Sequence, residues 1–286
     1  MAKKRGRSKR KPLSLVIIGF IVRFIYWIFK QLFFMFRWIY RKLKQKRTER
    51  KIQNKRPDIS GEYSELKEVK SLSGQFSQFE KLLYHNPSTI GLIIGARGTG
   101  KSALGLRILE NFKHKSHKKL QAWGFKEEDL PHWIENINSL EQIKNDAVVL
   151  IDESGIEFSS RNSLKTVNKI LSELLLISRH KDLSVIFIAQ NSSNIELNVI
   201  RQADYLLLKP SSLLQKNFER QKISDIYQEV TAEFEKLKEH KGLTYVYGPS
   251  YRGFVTNTLP SFWSESVSKS YRGKKSETSK KEVNKK

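Results

Sequence analysis

The 286-residue chain has no cysteine, and that absence excludes disulfides, thiol nucleophiles and thiolate metal sites together. Its six histidines, His85, His114, His117, His132, His180 and His240, are scattered without metal-ligand spacing. His114 and His117 stand three apart, but they lie in the polar run 113–119, which reads as a solvated helix end. Acidic residues are nearly missing from the first 56 positions, where Glu49 alone faces 19 lysines and arginines. Residues 57–263 are balanced, with 26 basic against 25 acidic side chains, so the net charge of +24 sits in the tails. Bulk electrostatics therefore give no reason to place nucleic acid on the central part of the chain. No uncharged stretch reaches about 18 residues, the length that marks a bilayer-crossing helix. There is no internal repeat and no Asn-Lys-x-Asp pattern, which counts against guanine readout.

Against these absences stands a glycine-rich run, Gly95-Ala96-Arg97-Gly98-Thr99-Gly100-Lys101-Ser102. Two glycines five apart, then Lys, then Ser is the pattern of a phosphate-binding loop. It follows the apolar run Ile90–Ile94, which predicts a buried strand, and precedes Ala103–Leu109, which predicts a helix. Glycines let the backbone wrap a polyphosphate, while amide N–H groups and a helix N-terminus supply donors and partial positive charge. Lys101 is expected to reach the β- and γ-phosphates and the Ser102 hydroxyl to ligate Mg²⁺. Fifty residues on, the apolar strand Val148–Ile151 runs into Asp152-Glu153. A strand delivers such carboxylates to its C-terminal edge, where open parallel sheets hold ligands. Asp152 is the expected metal residue and Glu153 the expected general base for a water. A third strand, Leu183–Ala189, ends in Gln190, placed to sense a γ-phosphate or orient water. The cofactors implied are ATP and Mg²⁺.

The N-terminal segment is of another kind. Residues 13–40 are apolar and aromatic, interrupted only by Arg23, Lys30 and Arg37. Their spacing of seven aligns them, with about 20° of drift per step, as one basic stripe on a helix. Such a helix either crosses a membrane, which is the favoured expectation, or lies in the interface with its cations towards anionic headgroups. Basic flanks stand on both sides, so charge asymmetry gives no orientation. No small-residue cleavage site follows, and an export signal is not expected. A catalytic unit that needs ATP belongs on the cytosolic side.

The order of phosphate loop, Asp152-Glu153, Arg179-His180, a strand ending in Gln190, and Ile200-Arg201 before the strand 206–208 resembles the FtsK/HerA superfamily of P-loop ATPases. Within it, the chain is most similar to the zonula-occludens-toxin-like assembly ATPases of filamentous phages. Small genome-packaging ATPases and conjugation coupling ATPases are close seconds. The resemblance covers roughly residues 88–260. It implies an α/β fold of the P-loop NTPase (RecA/ASCE-like) kind, with a mostly parallel sheet and helices on both faces. It also implies a homo-oligomeric ring, commonly a hexamer, that moves DNA or nucleoprotein, with Arg179 or Arg201 reaching a neighbour's γ-phosphate. Membrane lipids and other assembly or secretion components are the further partners implied. The leading apolar segment departs from the phage group, whose membrane span usually follows the ATPase domain.

The expected organisation is a basic tail (1–12), a membrane helix (13–40), a basic and polar linker (41–87), the ATPase domain (88–263) and a basic disordered tail (264–286). Within the domain, residues 217–240 predict one long amphipathic helix. The expected function is a membrane-anchored ATP hydrolase working on DNA or nucleoprotein in virion assembly, packaging or conjugation. Two other classes stay open: an AAA-type protein remodeller, which calls for a helical lid bundle, and a nucleotide-switched membrane scaffold.

Overall fold

The computed structural model describes residues 13–159, 164–212, 218–264 and 267, with 13–25, 157–159 and 164–166 described by backbone alone. The chain divides into two units, residues 1–54 and residues 55–286. Among its described residues the first contains one helix, α1 (Leu13–Gln53). Its side chains from Tyr26 to Tyr40, aromatic and aliphatic alike, are exposed. Among the described residues no helix is long and apolar enough to cross a membrane, so the favoured expectation of a crossing finds no support. Lys30, Arg37 and the basic run from Arg41 onward break the apolar stretch.

The second unit is built on β2 (Thr89–Ile94), whose six residues are all buried. The other strands are β1 (Lys67–Gly74), β3 (Lys119–Trp123), β4 (Glu135–Ile137), β5 (Ala147–Asp152), β6 (Ser184–Ala189), β7 (Tyr205–Leu208), β8 (Thr244–Tyr247) and β9 (Tyr251–Thr256). They form one sheet in the order β1-β9-β8-β7-β2-β6-β5-β3-β4. The six strands from β7 to β4 are parallel, and β8, β9 and β1 extend the sheet antiparallel. β6 therefore stands between β2 and β5, pairing with both. A βαβ crossover needs a helix, and helices cover both faces as expected. α2 (Phe76–His85) and α3 (Lys101–Lys115) pack on one side. α5 (Leu164–Ser178), α6 (Leu197–Gln202) and α7 (Gln221–Lys236) pack on the other. α4 (Glu153–Ser159) follows β5 directly.

Strand pleating sorts the apolar residues between the two faces. Leu92, Ile94, Val149 and Ile151 join the core under α5 and α7, whereas Ile93, Val148 and Leu150 join the core under α3. Each such side chain contributes about 1.5–3 kcal/mol of burial, so a continuous apolar strand such as β2 anchors both layers.

The second half of the stretch 41–87, read from sequence as a basic and polar linker, contributes β1 and α2 to the fold. β1 is an edge strand with mostly exposed side chains, so it carries no apolar alternation, and α2 buries only Phe79, Leu83 and Tyr84. Entry and exit segments are both fastened to α3 by a buried ion pair, Arg107–Glu110 at 2.7 Å. Arg107 donates to the carbonyls of Glu62 and Leu259, and Glu110 accepts from the backbone N–H groups of Glu62 and Ser261. Arg56, counted in sequence among linker cations, instead donates to the carbonyls of Leu130, Pro131 and Ile134. The helix expected over 217–240 is shorter, because Arg220 caps α7 in an extended conformation and Leu237 ends it. The expected tails at 1–12 and 264–286 lie, Ser264 and Val267 apart, outside the described residues.

Candidate functional site

The phosphate loop joins the C-terminal end of β2 to the N-terminus of α3. Gly98 and Gly100 adopt left-handed φ of 81° and 85°, a region costly for any residue with a Cβ. A Cβ placed at either would meet no atom within 4 Å, so the space beside these two positions is open. The first turn of α3 presents N–H groups with no intrahelical partner into that space. At its base the loop is fixed by two hydrogen bonds, Lys209 N–H to the Ile94 carbonyl at 2.8 Å and Ala96 N–H to the Pro210 carbonyl at 3.1 Å. Thr99 closes it by donating its hydroxyl to the Ala96 carbonyl at 2.7 Å. Arg97 is exposed.

Lys101 is buried, and its ammonium donates to the carbonyls of Gly95 at 2.8 Å and Ala96 at 2.9 Å. Desolvation pushes its pKa below the ordinary lysine value, while the charges of Asp152, Glu153 and Glu219 pull it back up. Ser102, the next residue, donates its hydroxyl to Asp152 Oδ2 at 2.7 Å. Asp152 is the last residue of β5 and is 8% exposed. Burial raises its pKa, and hydrogen bonds from Ser102 and the Ser154 N–H, with the charge of Lys101, oppose the rise. A buried carboxylate and a hydroxyl in contact are the hard oxygen donors that Mg²⁺ prefers. The open space beside Gly98 and Gly100, next to the buried Lys101 ammonium, leaves room for a polyphosphate, so the residues present suit both groups.

Glu153 opens α4 and is 3% exposed. Its Oε2 accepts the backbone N–H of Gln190 at 3.3 Å, across the tips of β5 and β6. The Gln190 side chain donates to Ser154 Oγ at 3.0 Å. The insertion of β6 between β2 and β5 is what brings Gln190 to this place. Lys101, Ser102, Asp152, Glu153 and Gln190 thus converge, though they are up to 89 positions apart in sequence.

The two arginines do not join them. Arg179 follows α5 and precedes β6, and Arg201 lies in α6 just before β7. β6 and β7 run parallel to β2, so residues that precede them sit at the opposite edge of the sheet from the phosphate loop. About 20 Å of six-residue strand separates the two edges. Both arginines are exposed, and neither forms an ion pair among the described residues.

Residues 103–206 match the family model of zonular occludens toxin (Zot). Over that stretch the chain is Zot-like. The match begins one residue after the phosphate loop and takes in Asp152, Glu153, Arg179, Gln190 and Arg201. No curated protein matches the chain. Among solved structures, the genome-packaging NTPase B204 of Sulfolobus turreted icosahedral virus 2, in complex with ATP-gammaS, is 18% identical with a TM-score of 0.39, covering 61% of this chain and 100% of its own. The pCW3 conjugation coupling protein TcpA, with ATPgS, is 13% identical at a TM-score of 0.41, covering 71% of this chain and 69% of its own. EccC (ATPases 2 and 3) of Thermomonospora curvata is 12% identical at 0.36, covering 61% and 37%. Likenesses of this size assign no role to any residue of this chain.

Several residues at the site carry no sequence signal of their own. Ser154 is legible only as a neighbour of the acidic pair. Lys209 could have been noticed as a lone cation closing the apolar strand 205–208. Ser192 and Glu219, 27 positions apart and hydrogen-bonded, belong to no motif.

Proposed function

We propose that the chain hydrolyses ATP with Mg²⁺ and couples the reaction to movement of DNA or nucleoprotein at a membrane. The observation that carries this reading is the 2.7 Å hydrogen bond from Ser102 to Asp152, which joins the end of a phosphate-loop motif to the tip of a second strand. Ser102 and Asp152 would hold Mg²⁺, which when bound would supply positive charge to offset that of the phosphates. Lys101 exchanges its two carbonyl partners for phosphate oxygens. Glu153 accepts a proton from water as the water oxygen bonds to the γ-phosphorus. The bond to the β,γ-bridging oxygen breaks, leaving ADP and phosphate. A general base of this kind is worth about 10²–10⁴-fold. Gln190, beside Glu153, orients the water.

Arg179 and Arg201 are too far from their own loop, so in this reading either one serves the site of a neighbouring copy in a ring, a hexamer by resemblance. The exposed aromatic surface of α1 and its basic stripe support contact with a membrane interface containing anionic lipid. The catalytic unit then works on the cytosolic side with other assembly or secretion components. The motor reading is favoured over a protein remodeller by the elements downstream of β7. Among the described residues these are the single long helix α7 and the antiparallel pair β8–β9, and a lid bundle calls for more.

The test is ATP turnover by the full-length chain alone, with DNA, and with unfolded protein. A rise with DNA only supports the reading. A rise with unfolded protein only favours the remodeller, and no turnover in any condition overturns both.

A further inference from the structure

Of the chain between β7 and α7, residues 209–210 lie at the phosphate loop and residues 218–220 at the loop carrying Gln190. At its start, Lys209 and Pro210 make the two backbone hydrogen bonds that hold Ile94 and Ala96. At its end, the Glu219 carboxylate accepts the Ser192 backbone N–H at 2.7 Å and also the Ser192 hydroxyl. Arg220 N–H donates back to Ser192 Oγ at 2.9 Å. The Arg220 guanidinium donates to the carbonyls of Ser192, at 3.1 Å, and Ile195, at 2.6 Å. Ser193 adds its hydroxyl to the Phe218 carbonyl. Ser192 is 0% exposed and Glu219 8%.

These contacts fall two residues from Gln190, whose own N–H meets Glu153. A buried carboxylate taking both donors of one serine is charge-assisted and fixes direction as well as distance. α7 starts immediately after Arg220, and its Tyr227 hydroxyl contacts the carbonyls of Lys209, at 3.0 Å, and Ile94, at 3.3 Å. α7 thus joins the residues that hold the Gln190 loop, at its start, to the phosphate-loop strand, at Tyr227.

We propose that Glu219 and Ser192 form a positioning clasp that sets Gln190 against Glu153 and links that setting to the chain supporting the phosphate loop. Neither residue touches the reacting atoms; both act through Gln190 and Glu153. The proposal rests on the ATPase reading for its kinetic consequence, not for its structural one.

The test uses the full-length chain and three variants, Ser192→Ala, Glu219→Met and Glu219→Gln. Ser192→Ala and Glu219→Met are expected to lower kcat by about tenfold or more, the size of one lost charge-assisted hydrogen bond. The Kd of a fluorescent ATP analogue should stay within twofold, which also reports an intact fold. Glu219→Gln keeps an acceptor oxygen and should restore most of the turnover. Hydrogen exchange supplies a second readout. In the parent, replacing ADP by ATPγS should change protection at 190–195 and at 218–220 together; in Glu219→Met the change should be confined to 190–195.

A parental kcat in Glu219→Met overturns the clasp. So does an equal loss of kcat and nucleotide affinity, which would mark a merely structural contact. If the parent itself turns over no ATP, the ATPase reading fails. Exchange with the bound analogue then still decides the clasp: linked changes support it, and independent changes overturn it.

Discussion

Lys209 is a buried ammonium whose cost can be measured. It closes β7, is 1% exposed, and donates to the Gly242 carbonyl at 2.8 Å and to Asn257 Oδ1 at 3.1 Å. Both partners are neutral, and burial lowers its pKa from 10.5 to about 7. That gap corresponds to about 5 kcal/mol of instability whenever the folded chain must carry the proton. Between pH 7 and 10.5 the unfolded chain keeps a proton that the folded chain has shed, so raising the pH favours the fold. One such proton gives a slope of about 1.4 kcal/mol per pH unit. Lys209→Met fills a similar volume and cannot titrate. It leaves two acceptors short of a donor, a cost of about 1–3 kcal/mol each that does not vary with pH.

The comparison is urea unfolding of parent and Lys209→Met, in zwitterionic detergent, followed by tryptophan fluorescence from pH 6.5 to 10. The parent should gain about 3 kcal/mol on the variant between pH 7.5 and 10, with other titrations cancelling in the difference. Near pH 6.5 the two should lie within a few kcal/mol of each other, because the removed charge, about 5 kcal/mol, largely offsets the lost hydrogen bonds. A stability difference that stays flat across this range would refute the reasoning, since the ammonium would then not be desolvated in the fold.

Three other outcomes are expected. Glu153→Gln should bind ATP like the parent and lose turnover by about 10²–10⁴-fold, read from nucleotide binding and phosphate release on the same samples. Arg107→Met should destabilise the second unit by about 3–5 kcal/mol, because Glu110 would be left buried without its cation; thermal or urea unfolding reports it. Replacing Arg23, Lys30 and Arg37 together by Gln should weaken binding to vesicles containing phosphatidylserine by about 1 kcal/mol per charge, with less change on neutral vesicles. Equal binding to both vesicle types by the parent would count against the interfacial arrangement of α1.

The phosphate loop and the Asp152-Glu153 pair are legible in the sequence because each is contiguous and each follows an uninterrupted apolar strand. Gln190 is legible because strand β6 ends on it, and its role as neighbour of Glu153 follows from β6 being inserted beside β5. The two arginines stand out in the sequence without a place in the fold. Their position just before parallel strands, once the sheet order is known, puts them on the far edge.

β1 and α2 escape a reading of the sequence because an edge strand shows few apolar residues and a short helix buries only three. The Glu219–Ser192 clasp and the Lys209 contacts are long-range pairings between residues common on any surface. No spacing rule distinguishes Glu219 from the other acids near α7. In α1, local pattern gives the helix, but not that its apolar side chains from Tyr26 to Tyr40 are exposed.

The measurement that bears most directly on the central claim is Mg²⁺-dependent ATP turnover by the full-length chain beside Lys101→Ala. Lys101 is the cation buried within the loop, so steady turnover is expected in the parent and none above background in the variant. Equal turnover in the two proteins would place the chemistry elsewhere and contradict the assignment.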